Sequence, residues 1–246
     1  MLRYFLIVIS CCFTALAIAA EPDINAIKAG LAHMFPGTQF DSLKLRTSEV
    51  PGLYEGELDS TVFYVTSDGK YVFIGDVVDI KNRNNLTENR RQTLAANIIN
   101  GLPEKNMIVM GPKDAKRTIT VFTDVDCVYC RRLHTQDVPE LTKQGVKVRY
   151  LLYPRSGPGT ETYNKAIAVW CASDRVKAVG EAKVGKAVAM KSCTNPIAEN
   201  HAVAERLGVN GTPAIFLEDG RRLPGYVPAD QMLTLLGLKN RQAKLN

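Results

Sequence analysis

Beyond its first twenty residues the chain has no long apolar run, so no later segment can cross a bilayer as a helix. It has no basic stripe either. The net charge is +6 and is spread along the chain, which speaks against a nucleic-acid partner. Internal repeats and low-complexity tracts are missing. Cysteine is absent from residues 21–84, which hold a single histidine, His33, and no catalytic constellation. His33 reads as a helix-surface residue. Charged residues make up 23% and hydrophobic residues 46%. That balance excludes wholesale disorder and suffices for one large domain or two modest ones.

What is present begins with a leader. Arg3, the apolar run Tyr4 to Ile9 and "SCCFTALAIAA" end in Ala17 and Ala19 at A-x-A spacing. This predicts a cleaved secretory signal peptide over residues 1–20, with cleavage after Ala19 or Ala20. A membrane anchor is the competing reading, but the run is short of a comfortable span. A lipoprotein through Cys11 or Cys12 is weaker still. Removal of the leader leaves Cys127, Cys130, Cys171 and Cys193. An even count in an exported chain suggests disulfides, and four cysteines allow three connectivities.

A first block spans residues 21–84. Ile24, Ile27, Leu31 and Met34 recur at helical spacing until Pro36-Gly37. Strand-like runs follow: "FDSLKLR", "LYEGEL", "TVFYVT" and "KYVFIGDVVDI". Asp68-Gly69 marks a hairpin between the last two. One helix and an antiparallel meander make a small α+β domain. Residues 85–104 read as a linker helix with a narrow seam of Leu94, Ala95, Ile98 and Ile99, able to hold two blocks apart. Residues 105–246 form the second block. "RTITVFT" and "VKVRYLLY" are buried strands, with a helix from Cys130 to Lys143 between them, a βαβ unit. Helix is expected from about Glu161 to Leu207, then the strand "GTPAIFL", an "EDGR" turn and a short strand. A terminal helix starts near Pro228, with Met232, Leu235 and Leu236 on one face.

"DCVYC" carries the chemistry. A C-x-x-C between a strand and a helix puts Cys127 at the helix N-terminus, where free N–H groups and the helix dipole favour an anion. Such positions lower a thiol pKa to roughly 3.5–7.5. Cys127 is therefore the expected nucleophile, and Cys130, one turn inward, the resolving thiol. Zinc needs two more ligands. His134 is within reach by spacing, but Cys171 and Cys193 lack a knuckle pattern. Haem attachment needs histidine where Arg131 stands. A purely structural Cys127–Cys130 bridge closes too short a loop to constrain the unfolded chain much. Asp126 opposes a thiolate at Cys127; Arg131 and Arg132 favour it. Asp124 reads as a strand-end residue, Trp170 as core packing, and Tyr129 as an exposed contact beside the thiols. Asn85-Leu86-Thr87 and Asn210-Gly211-Thr212 match the glycosylation triplet, which is common by chance.

Thr212-Pro213 precedes the strand "AIFL". With the C-x-x-C after an earlier strand, this arrangement resembles the thioredoxin fold. The resemblance implies a cis Pro213 lying against the thiols, with Thr212 and Pro213 contacting substrate. The whole mature chain resembles the periplasmic disulfide isomerases of the DsbC type. The resemblance rests on "ITVFTDVDCVYC", "VRYLLYPR", "VWC", "SC" at Cys193, "LGVNGTPAIFL" and "PGY". It implies a cystatin-like α+β dimerisation domain, a linker helix and a thioredoxin-like domain with a helical insertion. It also implies a structural Cys171–Cys193 disulfide. Val128 stands where that family often has glycine. The buried acid of thioredoxins would fall near Val121, so that proton acceptor is absent.

The expected function is isomerisation and reduction of wrong disulfides in exported proteins, with no metal or organic cofactor. The family implies a homodimer, misfolded disulfide-containing substrates, a periplasmic location and a membrane thiol reductase of the DsbD type. A DsbG-like reductase with narrower substrates and a redox-silent chaperone are the alternatives.

Overall fold

The computed structural model describes residues 22–239. The leader reading, with Cys11 and Cys12, lies outside the described residues. The chain divides into two compact units. One comprises the described residues through Gly56 together with Tyr64–Phe73; the other comprises Glu57–Phe63 and the chain from Ile74 onward.

The first unit opens with helix α1 (Ile24–Met34). Asp23 caps it, its Oδ1 accepting from the N–H groups of Asn25 and Ala26 at 3.0 and 3.2 Å. Ile27 and Leu31 are buried, but Met34 is exposed, so the apolar stripe is narrower than the spacing predicts. Four strands follow: β1 (Lys44–Thr47), β2 (Leu53–Leu58), β3 (Thr61–Thr66) and β4 (Val72–Phe73). They lie in the order β1-β2-β3-β4, with Tyr64 opposite Phe73. The Asp68-Gly69 turn forms as expected, with Gly69 at φ 69° and Asp68 Oδ1 accepting from Thr66 Oγ1 and the Lys70 N–H. The long strand expected over "KYVFIGDVVDI" does not form. The chain leaves the sheet after Phe73, and β5 (Val78–Asp79) pairs with β6 (Asn84–Asn85). Asp76 draws it away through Asn85 at 2.7 Å and Arg91 at 2.6 Å.

In the second unit helix α2 (Leu86–Asn100) is capped by Asn85, whose Oδ1 accepts from the Glu88 N–H at 2.8 Å. The expected spacer is not free-standing. Ala95 and Ile99 pack with Phe122, Leu151 and Phe216 on one face of a sheet, because an apolar seam that small is stable only when covered. Gly220, at φ +83°, permits this approach: a Cβ there would sit 1.9 Å from the Gln92 carbonyl oxygen.

That sheet contains β7 (Ile108–Met110), β8 (Arg117–Thr123), β9 (Val146–Leu152) and β10 (Ala214–Leu217) in the order β10-β8-β9-β7. β8 and β9 are parallel, in keeping with the βαβ reading; the two outer strands run antiparallel. The three-residue β7 carries too little pattern to be legible in sequence. The crossover is less regular than expected: α3 (Val128–Arg132), one π-helical turn at Leu133–Asp137, then α4 (Val138–Lys143). It packs Leu133, Val138 and Leu141 against Ile119, Val121, Val148 and Tyr150.

The helical stretch after β9 is three helices, α5 (Glu161–Trp170), α6 (Arg175–Lys183) and α7 (Ile197–Arg206). Residues 186–193 between the last two have no regular structure. The strand expected after "EDGR" reduces to one bridge, Phe216 to Arg222. Helix α8 (Ala229–Leu235) buries Met232, Leu233 and Leu236; Leu235, expected on that face, points outward. Pro228, the N-cap of α8, makes no side-chain cap hydrogen bond. Buried Asp137 caps the helix from across the fold, its Oδ1 accepting from the Ala229 N–H at 2.8 Å and its Oδ2 from Tyr226 at 2.9 Å. Trp170 is buried, as expected, under the Arg175 guanidinium at 3.6 Å.

Cys171 at the end of α5 is bonded to Cys193, 22 residues on, with Cα atoms 5.8 Å apart. Replacing both by alanine should lower unfolding free energy by about 3 kcal/mol through loop entropy, measured by urea unfolding. Gly220→Ala should cost about 1–3 kcal/mol by overpacking, measured the same way, with faster proteolysis within α2.

Candidate active site

β8 ends at Thr123 and is buried over its last five residues. The next residue, Asp124, is 2% exposed. The sequence reading as a strand-end residue is right in place but not in environment. Its Oδ2 accepts from Arg155 Nε and from the Arg155 N–H, both at 3.0 Å, and its Oδ1 from the Asp126 N–H at 2.9 Å. This carboxylate folds the chain back so that Cys127 enters the helix. Arg155 is drawn up in turn, its charged form favoured first by its hydrogen bond to Asp124.

Cys127 is the N-cap of α3, with extended backbone. Its sulfur accepts the Cys130 N–H at 3.4 Å and reaches the Thr212 carbonyl oxygen at 3.3 Å. Thr212-Pro213 is a cis peptide, and the Thr212 carbonyl faces the thiol. The Thr212 hydroxyl is buried and has no protein partner among the described residues. Both thiols are unpaired, and Cys130 is wholly buried behind Cys127.

The two thiols are displaced in opposite directions. Cys127 falls from 9.0 to about 5: the Cys130 thiol hydrogen-bonds to it, burial works against, and the Cys130 N–H and Arg155 assist. Cys130 is driven up, first by burial and then by its donation to Cys127; the charge opposing the rise is Lys183. The cation that acts on Cys127 is thus Arg155, which sequence reasoning missed, whereas Arg131 Nε hydrogen-bonds the Lys183 carbonyl. Asp126 is held by Thr162 Oγ1 at 2.6 Å and by Lys165 Nζ at 3.4 Å, which blunts its effect on the thiolate.

Around the mouth, Val128 and Tyr129 are exposed. Tyr129 lies 6.1 Å from Tyr226, ring to ring, and Arg132 sits 4.9 Å over the Tyr226 ring. Lys183 is buried at the end of β8, with Nζ 2.7 Å from Thr123 Oγ1 and 3.1 Å from the Asp124 carbonyl oxygen. His134 donates to or accepts from the Tyr150 hydroxyl at 3.3 Å, rather than joining the cysteines. Burial, then Lys183, lowers it to about 4. The structure thus brings Cys127, Cys130, Thr212, Pro213 and Tyr129 to one place. Arg155 was visible only as the end of "YPR", and Lys183 as one cation in a polar helix. Neither carries a spacing that marks it.

The disulfide bond isomerase N-terminal domain family matches residues 18–88, and the thioredoxin-like domain family matches residues 104–239. The thiol:disulfide interchange protein DsbC of Escherichia coli K12 is 37% identical over 217 residues, covering 88% of this chain and 89% of that one. DsbC of Salmonella typhimurium is 37% identical over 223 residues, 91% of each chain. DsbC of Haemophilus influenzae is 32% identical, covering 91% of this chain and 96% of that one. A solved disulfide interchange protein from Neisseria gonorrhoeae is 30% identical, with a TM-score of 0.49, over 55% of this chain and 96% of that one. With two domain families in order and relatives matched over nearly its whole length, the chain belongs to the DsbC family of thiol:disulfide interchange proteins.

Proposed function

We propose that Cys127 is the nucleophile and Cys130 the resolving thiol of a disulfide isomerase and reductase acting on exported proteins. The observation that carries the reading is the division of labour between the thiols. One sulfur lies at a helix start, where it accepts the Cys130 N–H and its pKa is lowered to about 5; the other is wholly buried behind it, and its pKa is raised. The Cys127 thiolate attacks a substrate disulfide, bonds to one sulfur and releases the other as thiolate. A second substrate thiol can displace Cys127, which completes isomerisation. Alternatively Cys130 attacks Cys127, releasing reduced substrate and leaving a Cys127–Cys130 disulfide. Thr212 and Pro213 hold the substrate backbone, and Tyr129 covers one side of it.

Residues 21–84 serve dimerisation, 85–104 join the two parts, and 105–246 carry the chemistry. The N-terminal sheet leaves β1 and β4 as edges, and Tyr71, Phe73 and Ile74 are exposed. Unpaired edges and apolar side chains suit a two-fold contact and the holding of unfolded chains, hence a chaperone-like role. Work on exported proteins places the enzyme in the periplasm, where a membrane thiol reductase of the DsbD type keeps Cys127 and Cys130 reduced. A DsbG-like role with narrower substrates differs in substrate range, not in this chemistry.

Two measurements test this. Refolding of a scrambled multi-disulfide protein should be accelerated by the mature chain and not by Cys127→Ser. A chain starting at Asn85, which keeps α2 and its cap, should be monomeric by light scattering, retaining reductase but losing most isomerase activity. Equal isomerisation by the short chain would refute the role of the N-terminal block. For the thiol itself, alkylation of Cys127 should follow an inflection at about pH 5. A lowered thiol pKa stabilises the reduced fold above the ordinary thiol range, and this stabilisation is lost as pH falls through about 5. Acid unfolding of the reduced chain should therefore show a loss there that Cys127→Ala lacks.

A further inference from the structure

Asparagine is followed by glycine twice, at Asn100-Gly101 and Asn210-Gly211. The dipeptide is chemically labile, because glycine has no Cβ to shield its nitrogen from the asparagine side chain. The fold treats the two copies oppositely. Asn100 ends α2, and its Nδ2 donates to the Glu218 carbonyl at 3.0 Å. The Gly101 N–H donates to the Asn97 carbonyl at 3.2 Å. The side-chain amide and the following nitrogen are both held, and the helical backbone keeps them apart.

Asn210 is exposed, in a segment without regular structure. Among the described residues the Gly211 N–H has no hydrogen-bond partner, and a Cβ at Gly211 would meet nothing within 4 Å. The Asn210 amide has one contact, 3.5 Å from its Oδ1 to Arg222 Nη2. Arg222 is itself held by a 2.9 Å bond from Nη1 to the Gly208 carbonyl. A cation against the amide oxygen draws electrons from Cγ and stabilises the oxyanion formed when Cγ is attacked.

The loop is pinned on both sides of this dipeptide. Upstream, the Val209 N–H donates to the Ala204 carbonyl at 2.8 Å, and the Tyr153 hydroxyl donates to the Val209 carbonyl at 3.2 Å. Downstream, Ala214 is paired with Phe122 at the start of β10. Only residues 210–213 bridge these anchors, and they include the Thr212 carbonyl, 3.3 Å from the Cys127 sulfur. An added backbone atom has nowhere else to be absorbed.

We propose that Asn210-Gly211 is a site of spontaneous deamidation, and that its isoaspartyl product draws the Thr212 carbonyl away from Cys127. The chemical step is a property of the loop alone; its consequence rests on the substrate-holding role given above to Thr212 and Pro213. The Gly211 nitrogen attacks Asn210 Cγ. The N–Cγ bond forms, the Cγ–Nδ2 bond breaks, and the Gly211 proton passes through solvent to the departing ammonia. Water then opens the succinimide. Opening at Cγ gives aspartate. Opening at the Asn210 backbone carbonyl gives isoaspartate, whose main chain runs through Cγ and is one methylene longer. Nothing is oxidised or reduced.

The test is incubation of the full mature chain, followed by peptide mapping that resolves aspartate from isoaspartate. The Asn210 peptide should gain the mass of an amide-to-acid exchange, at a rate rising in proportion to hydroxide, while the Asn100 peptide stays unchanged. In urea the two should convert alike. Conversion at both sites in the folded chain, none at Asn210, or an inert Asn100 in urea overturns the site. Arg222→Gln should slow conversion at Asn210 by about fivefold, the scale of one exposed charge; no slowing overturns the part given to Arg222. Isoaspartyl chains, separated by ion exchange, should refold a scrambled multi-disulfide protein about tenfold more slowly or worse, as a displaced reacting group does. Fresh Asn210→Asp adds the charge without the methylene and should keep the parent rate, as should Asn210→Gln, whose longer side chain closes the ring far less readily. Full activity of the isoaspartyl chain overturns the consequence; if Pro213→Ala is fully active as well, the failure lies in the role given to the loop.

Discussion

Strand β8 is enclosed on both faces, and the active site depends on that enclosure. Ile119 and Val121 face the crossover helices, while Phe122 faces α2 and α7 with Leu151 and Phe216. A strand with no free face cannot shift register without moving its side chains to the wrong side. Its end is therefore a fixed point, and the next residues inherit that precision. Asp124 is buried directly beyond it, and a lone carboxylate there would cost several kcal/mol. Pairing with Arg155 is thus obligatory, and the pair sets the turn that delivers Cys127 to the helix start.

From that turn follows the inequality of two chemically identical groups. Cys127 is buried too, at 4% exposed, but the Cys130 N–H and the Arg155 charge favour its anion. Cys130 lies one turn deeper, where no water stabilises a thiolate. Such a difference suits the two-step exchange proposed for the pair. The surrounding cations have separate roles. Arg155 and Lys165 pair with Asp124 and Asp126, and Lys183 is buried against Thr123 and the Asp124 carbonyl.

The parts legible in sequence are those whose pattern is local. β8 and β9 show as apolar runs, the Asp68-Gly69 turn as a dipeptide, and the thiols as a spacing. Errors arise where a distant contact overrides local preference. The run from Lys70 to Ile80 is strand-like throughout, yet Asp76 binds Asn85 and Arg91 and breaks it. Leu235 and Leu233 are two residues apart, and only docking of α8 decides which is buried. The α2 seam looked sufficient for a spacer, but Gly220, more than a hundred residues on, lets it close onto the sheet.

By itself the sequence determined the α+β class, most of the order of the elements and the C-x-x-C spacing of the two thiols. Those follow from periodicity and from the short-range geometry of a helix start. Only the tertiary structure decided which charges act on the thiols. Arg131 and Arg132, adjacent in sequence, point to Lys183 and Tyr226, while Arg155 and Lys183, far along the chain, surround the site. The reason is physical: electrostatic influence depends on distance and burial in three dimensions, and neither is encoded in separation along the chain.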